Sequence, residues 1–258
     1  MKLFVQASLD YRFASPSDVL LQIEAAAGPG QRVRDPFLGL SDVAHMVRVA
    51  GQDAIGERIW LNVADRLTVD YRATVEIERI PADIAALPQV PFHRLPGETV
   101  QYLMASRYCP SDQFQSFVDA EFGDLQGGAR VAAMRDWIER DFTYEPGVST
   151  SATTALETFV RRAGVCRDYA HMLITMVRAT GIPARMASVY ALGVEPEDFH
   201  AVAEVFLDGA WHLVDATGMA TPSAMAKIGV GRDAADIAFL TTYGQAELIA
   251  QTVSVFAL

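Results

Sequence analysis

The sequence is poor in three features that define large classes of proteins: cysteine, positive charge and long apolar runs. Its 258 residues include only two cysteines, Cys109 and Cys166, which are too few for a disulfide framework or a thiolate metal site. Because 21 lysines and arginines face 32 aspartates and glutamates, a net charge of −11, we expect no binding to nucleic acid or to an anionic membrane.

Long apolar segments are also missing. No run approaches the roughly 18 residues of a membrane-spanning helix, and the first residues lead into alternating polar positions instead of the apolar region of a signal peptide. These observations predict a cytoplasmic protein that does not bind a membrane. The oligomeric state stays open.

The apolar residues that are present, 51% of the chain, follow a period of two in the first part of the sequence. This alternation occurs in four segments, residues 3–13, 19–25, 59–63 and 67–77. A period of two indicates strands with one buried face, and short turns between them favour two antiparallel sheets packed as a sandwich. Prolines then interrupt regular structure from residue 81 to residue 96. We therefore predict an N-terminal β-sandwich domain over residues 1–100 and a second domain over residues 101–258.

Helical spacing replaces the alternation in the second part of the chain. One predicted helix begins near Cys166 and ends before Gly181 and Pro183, which are typical of a helix C-terminus. Its apolar stripe starts at Cys166, so the thiol lies where this helix meets the sheet. The unpaired backbone N–H groups and the positive end of the helix dipole favour a thiolate there and can hold an oxyanion. Cys166 is therefore the candidate nucleophile.

A nucleophilic thiol needs a base within hydrogen-bonding reach and a third group that orients the base. Asp208-Gly209 is a strong signal for a two-residue turn between two strands. Such a turn sets Phe206 opposite Trp211, which brings His200 and Asp215 to one face of the hairpin as diagonal neighbours. His200 and Asp215 are therefore the candidate base and the candidate orienting carboxylate.

Four other histidines are weaker candidates: His45, His93, His171 and His212. His212 points away from Asp215 in this register, and His171 lies about 140° around its helix from Cys166 at 3.6 residues per turn. The remaining two fall in the β region and the proline-rich connection, where a solvated or locally bonded histidine is the simpler interpretation.

Several neighbouring residues have structural interpretations. Cys109 is expected to be a buried structural thiol, and Asp168 to stabilise the first turn of its helix through the helix dipole. Trp211 is expected to pack beneath the site. Glu204 shares a strand face with His200 and is either a second polar contact or a charge at the strand end.

Four stretches together resemble the core of the transglutaminase-like superfamily, whose fold is related to that of papain-like cysteine proteases. They are Gly164-Val165-Cys166-Arg167-Asp168-Tyr169-Ala170-His171, Gly181-Ile182-Pro183-Ala184-Arg185, Phe199-His200-Ala201 with Glu204-Val205, and Gly209-Ala210-Trp211-His212-Leu213-Val214-Asp215-Ala216-Thr217. The preceding β segment resembles the N-terminal domain of bacterial transglutaminase-like proteins, and residues 231–236 resemble their C-terminal segment. The resemblance implies Cys166 as nucleophile, His200 as general base and acid, and Asp215 as orienting carboxylate.

The resemblance also implies a fold and an activity. The expected fold class is α+β: an antiparallel β-sandwich followed by a papain-like or transglutaminase-like core, with the nucleophile at the N-terminus of a helix packed on an antiparallel sheet. The expected function is cysteine-dependent acyl transfer that cleaves an amide or peptide bond of a protein or peptide substrate. Two alternatives stay open, a non-catalytic interaction protein with a relic site and a protein cross-linking transglutaminase.

Two further points concern the chemistry of such a site. Related transglutaminases use the indole of an upstream tryptophan as the second oxyanion donor, and the candidates here are Trp137 and Tyr144. The sequence has no calcium-loop pattern of alternating aspartates followed by glycine. We therefore expect neither a metal nor another cofactor.

Overall fold

The first part of the chain forms antiparallel β-structure, as the alternation predicts. The computed structural model describes residues 1–258. Its first six strands are β1 (Lys2–Phe13), β2 (Ser17–Leu21), β3 (Gln31–Leu40), β4 (His45–Ala50), β5 (Glu57–Val63) and β6 (Arg66–Ile77). The odd-numbered residues of β1 are buried and most residues between them are partly exposed, which is the burial pattern of a strand with one apolar face.

Two further strands from the end of the chain complete these sheets. They are β13 (Leu240–Thr242) and β14 (Ala246–Ala257). One sheet has the order β14-β1-β6-β3 and the other β13-β2-β5-β4, and the inward-facing residues of both enter one hydrophobic cluster. Residues 240–257, which the sequence analysis assigns to the second domain, therefore pair with strands of the first.

The middle of the chain forms the mixed α and β core. Its helices are α1 (Gln115–Phe122), α2 (Gly127–Asp141), α3 (Ala155–Arg161), α4 (Cys166–Ala179) and α5 (Ala234–Ile237). Its strands are β7 (Thr143–Tyr144), β8 (Ala163–Gly164), β9 (Ala184–Ala191), β10 (His200–Leu207), β11 (Ala210–Val214) and β12 (Met225–Gly231). The four longer strands form an antiparallel sheet of order β11-β10-β9-β12, and α4 packs on it through a second hydrophobic cluster.

The two parts are not separated by a polar boundary. Tyr190, Phe199 and Ile228 of the core segment enter the hydrophobic cluster of the β-sheets. The Tyr190 hydroxyl also donates a hydrogen bond to the Ile23 carbonyl oxygen at 2.7 Å. The proline-rich connection between the parts forms short 3₁₀ turns at residues 84–86, 92–94 and 97–103.

The hairpin between β10 and β11 has the register that the turn signal predicts. Phe206 pairs with Trp211, and both turn residues have positive φ, 49° at Asp208 and 79° at Gly209. Two positive φ values are typical of the type I′ turns that match the twist of two-residue hairpins. No helix is both long enough and apolar enough to cross a bilayer.

Candidate active site

The candidate nucleophile is the first residue of α4. The Asp168 carboxylate accepts a hydrogen bond from the Val165 N–H at 2.9 Å and forms an ion pair with Arg167 at 3.0 Å, so it stabilises this helix start. A Cβ atom at Gly164 would lie 2.6 Å from the Asp168 Cβ atom. Only glycine at position 164 therefore allows the backbone to approach the Asp168 side chain this closely. Cys166 itself is partly exposed.

The imidazole of His200 is bonded to Asp215, as the hairpin register predicts. His200 Nε2 lies 2.9 Å from Asp215 Oδ2, and both side chains are almost fully buried. His200 Nδ1 is buried and has no hydrogen-bond partner in the structure. Because Nε2 is engaged by the carboxylate, Nδ1 is the ring nitrogen left to exchange a proton with a thiol.

The charge on His200 is set by its two neighbours. Burial lowers the pKa of His200, but the hydrogen bond to Asp215 and the interaction with the Cys166 side chain outweigh burial and raise this pKa to about 10. Burial likewise raises the pKa of Asp215, but His200 and Thr217 hold that pKa below its ordinary value. At neutral pH the pair is therefore an imidazolium and a carboxylate.

The Asp215 carboxylate is held by more than the imidazole. Its Oδ1 atom accepts hydrogen bonds from the Thr217 N–H at 2.9 Å and the Thr217 hydroxyl at 2.7 Å. Its Oδ2 atom also accepts from the Ala220 N–H at 3.1 Å. Four donors fix both oxygens, so the orientation of the imidazole plane is fixed as well.

The two candidates for the second oxyanion donor lie in different surroundings, and only one of them is near Cys166. Trp137 lies in a cluster of phenylalanines, with its ring centroid 5.4 Å from those of Phe117 and Phe142. Tyr144 instead lies beside Cys166, the candidate nucleophile, because β7 pairs in parallel with β8 and sets Tyr144 opposite Gly164. Burial raises the pKa of Tyr144, and the Cys166 sulfur raises it further, so its hydroxyl is held in the donor form.

The other histidines and the second cysteine lie away from this chemistry. The His212 ring hydrogen-bonds the Leu207 carbonyl oxygen, and His171 Nε2 accepts from the Ala234 N–H at 3.2 Å. Burial lowers the pKa of His171 to about 3, so it stays neutral. Burial raises the pKa of the fully buried Cys109 to about 12, which is consistent with a structural thiol.

Glu204 is a member of a buried charge cluster and forms no hydrogen bond with His200. Its carboxylate accepts a hydrogen bond from Arg185 Nε at 2.7 Å and a second from Lys227. Arg185 also bonds Asp53 at 2.6 Å and lies 4.0 Å from the centre of the Trp211 ring. Glu204 therefore belongs to a cluster that links the β11-β10-β9-β12 sheet to the N-terminal part of the chain. Trp211 packs on Arg185, Tyr102 and Phe206 and does not line the cavity beside Cys166, contrary to the expectation that it packs beneath the site.

An open cavity adjoins both candidate catalytic side chains. It has a volume of about 310 Å³ and is lined by Cys166 and His200 together with mostly apolar residues. No group of three or more histidine, cysteine, aspartate or glutamate side chains is arranged to hold a metal ion. The arrangement is thus a thiol at a helix start, a histidine oriented by a carboxylate and space for a substrate beside them.

This geometry agrees with the similarity of the chain to known proteins. The transglutaminase-like superfamily core matches residues 118–216, a range that contains Cys166, His200 and Asp215. The whole chain also superposes on the crystal structure of a "Putative Cysteine Protease" from Cytophaga hutchinsonii, with a TM-score of 0.94 and 32% identity over 100% of this chain and 91% of that one. The chain belongs to the transglutaminase-like superfamily.

Relatives of this transglutaminase-like chain also occur in mycobacteria. An uncharacterized protein from Mycobacterium leprae is 30% identical over 43% of the chain, and one from Mycobacterium tuberculosis is 33% identical over 33% of it. These matches span only 42% and 28% of the mycobacterial proteins. The superfamily and the fold together support a cysteine-dependent enzyme.

Proposed function

We propose that the protein cleaves an amide or peptide bond through a thioester on Cys166, with His200 as general base and acid and Asp215 as the orienting carboxylate. The observation that carries this proposal is the state of the His200 ring, whose Nε2 atom is bonded to a buried carboxylate at 2.9 Å while Nδ1 is unpartnered. An imidazole held in this way transfers protons through one defined nitrogen.

The first step forms the thioester. In the attacking state the proton of the Cys166 thiol lies on His200 Nδ1 as part of the imidazolium, and the thiolate sulfur attacks the carbonyl carbon of the substrate amide. As the C–S bond forms, the carbonyl electron pair moves to oxygen and leaves a tetrahedral oxyanion. The intermediate then collapses, the C–N bond breaks, and His200 Nδ1 returns its proton to the leaving amine.

Two donors are available for the oxyanion. One is the Cys166 backbone N–H at the start of α4, where no earlier helical turn supplies an acceptor. The other is the Tyr144 hydroxyl, which is held beside Cys166 by the pairing of Tyr144 with Gly164. In the resting state these groups interact with each other, and the incoming oxyanion would accept a hydrogen bond from both.

The second step releases the acyl group to water. His200 Nδ1 takes a proton from a water molecule, whose oxygen attacks the thioester carbon. The C–S bond breaks, the carboxylic acid leaves, and the thiolate and the imidazolium are restored. Hydrolysis is proposed over amine transfer because an amine outcompetes water only in a site that excludes water, whereas the cavity beside Cys166 is open.

The test is an assay of the purified protein on peptide and protein amides with a labelled primary amine present. We expect release of a new carboxylate product at a rate that exceeds amine incorporation, loss of both in Cys166→Ala, and an acyl adduct on Cys166 detectable by mass spectrometry after acid quenching. Incorporation of the amine faster than hydrolysis would identify a cross-linking enzyme. Absence of any acyl adduct across a broad peptide library would favour the non-catalytic interaction protein.

The substrate class, the cofactor requirement and the cellular compartment of this activity are also proposals. The substrate class is a protein or peptide, no cofactor is required, and the enzyme acts in the cytoplasm without binding nucleic acid or membrane. Cell fractionation with detection of the native protein tests the compartment. Activity that persists after treatment with a chelator tests the proposed independence from metals.

A further inference from the structure

The cavity beside the reacting atoms has an apolar interior. Its lining includes Met186 and Ser188 of β9, both buried. One wall is the Phe199 ring, which stacks on Phe239 with the ring centroids 4.7 Å apart and the planes at 17°. Ile237 of α5 also lines the cavity.

Small side chains create the space. Ala201, Ala234 and Ala238 line the cavity, and a larger side chain at any of them would reduce its volume of about 310 Å³. That volume accommodates one leucine or phenylalanine side chain next to the scissile bond. The cavity therefore has the dimensions of a side-chain pocket.

The charged residues of the lining are already engaged. The Arg167 guanidinium bonds Asp168 and the Thr150 carbonyl oxygen at 2.8 Å. The Asp198 carboxylate accepts from the Phe199 N–H at 2.7 Å and from the Gln251 side chain at 2.6 Å. Both of these bonds end on Asp198 Oδ1, so the engaged atoms are not available to a substrate, and the rest of the lining is mostly apolar.

The wall formed by α5 is anchored to the helix that carries the nucleophile. The Ala234 N–H donates to His171 Nε2 of α4, and Asp233 accepts from the Tyr108 N–H at 2.9 Å and the Ala235 N–H at 3.0 Å. The His171 ring also stacks on Tyr108 with centroids 5.0 Å apart. These contacts form the cavity before any substrate binds, so no ordering of the wall opposes binding.

We propose that this cavity is the specificity pocket of the enzyme and binds a large apolar side chain of the substrate residue adjacent to the scissile bond. The proposal rests on the proposed function, because it places that bond between Cys166 and His200. Burial of such a side chain in a preformed apolar pocket would favour leucine or phenylalanine over glycine by about 10- to 100-fold in kcat/KM.

The experiment compares two matched substrate series, one with glycine, alanine, leucine or phenylalanine on the acyl side of the cleaved amide and one with the same residues on the amine side. We expect the preference for large apolar residues in one of the two series.

The variant Ala234→Leu should remove the preference while glycine substrates are still cleaved. Ala235→Leu is the matched control, because Ala235 is the next residue of α5, is exposed and does not line the cavity. Ala238→Leu, at the exposed lip, gives a second test if Ala234→Leu does not fold.

A readout that does not require turnover keeps this proposal separate from the proposed function. Alkylation of Cys166 by N-benzyl and N-methyl chloroacetamide is followed by mass spectrometry, and the benzyl reagent should react about tenfold faster, an advantage lost in Ala234→Leu only. If the benzyl reagent shows this advantage but the protein cleaves no amide, the proposed function is rejected and the pocket proposal stands. Equal rates for both reagents, or the same effect of Ala234→Leu and Ala235→Leu, would overturn the pocket.

Discussion

Asp215→Asn tests how the buried carboxylate controls the imidazole. In the structure Oδ1 faces two donors of Thr217, and Oδ2 faces His200 Nε2 and the Ala220 N–H. The asparagine amide replaces one of these acceptors with an NH₂ group, which then meets a backbone N–H at either site. If the NH₂ group faces His200, Nε2 must become an acceptor, and the ring proton moves to Nδ1, where it blocks uptake of the thiol proton.

The expected loss is large. The wrong tautomer and the unpaired imidazolium together should lower kcat/KM by about 10³- to 10⁴-fold, the order observed for this change in hydrolase triads. At 1.36 kcal/mol per tenfold change this is about 4 to 5.5 kcal/mol of transition-state stabilisation. One backbone donor left without an acceptor should also reduce the free energy of unfolding by about 1–3 kcal/mol.

The assay is kcat/KM on a cleaved peptide together with urea unfolding, with Asp53→Asn as matched control. The Asp53 carboxylate also accepts several hydrogen bonds, from Tyr102 and Arg185 at 2.6 Å and from Gln52 at 3.0 Å, but it lies in the charge cluster around Glu204. This control should lose stability and keep its activity. An Asp215→Asn enzyme within tenfold of the wild type, or an Asp53→Asn enzyme that is equally impaired, would refute the reasoning.

Three other changes test the same site. At pH 6 an alkylating reagent should modify Cys166 far faster than the fully buried Cys109, whose thiol stays protonated because burial raises its pKa to about 12; equal rates by mass spectrometry would contradict the assignment. Tyr144→Phe should lower kcat by about 10²-fold through loss of an oxyanion donor, with little change in KM, and an effect on KM alone would exclude that role. Because the pKa of His200 is raised to about 10 in the folded state, its stabilising contribution is complete below about pH 6.5 and is lost as the pH rises towards 10. Urea titrations across that range should show falling stability in the wild type and a flatter profile in His200→Gln.

Local patterns in the sequence predict the elements that carry the candidate triad. The start of α4 follows from the apolar stripe behind Cys166, and the positions of His200 and Asp215 follow from a turn whose two residues accept positive φ. In each case the information lies within about 15 residues, where the periods of helices and strands are readable.

Other features depend on contacts between distant segments, and the sequence does not reveal them. Tyr144 is brought to Cys166 by the parallel pairing of β7 with β8. Each of these strands has only two residues, which is too short to show a periodic pattern in the sequence. The anchoring of α5 requires His171 to accept from a residue 63 positions away. β4 is exposed along its whole length, so it lacks the alternation that identifies the other strands.

The pairing of β14 with β1 favours one order of folding. Leu3 lies opposite Ala257 in this ladder, so the segment between the paired strands contains the entire mixed α and β core. Closing an unfolded loop of that length costs about 5 kcal/mol in chain entropy, whereas a core that has already folded brings the two strands close together. β1 therefore has an open edge until the core is in place, and premature exposure of that apolar strand favours association between chains. We therefore expect β14 to attach to β1 after the mixed α and β core has formed.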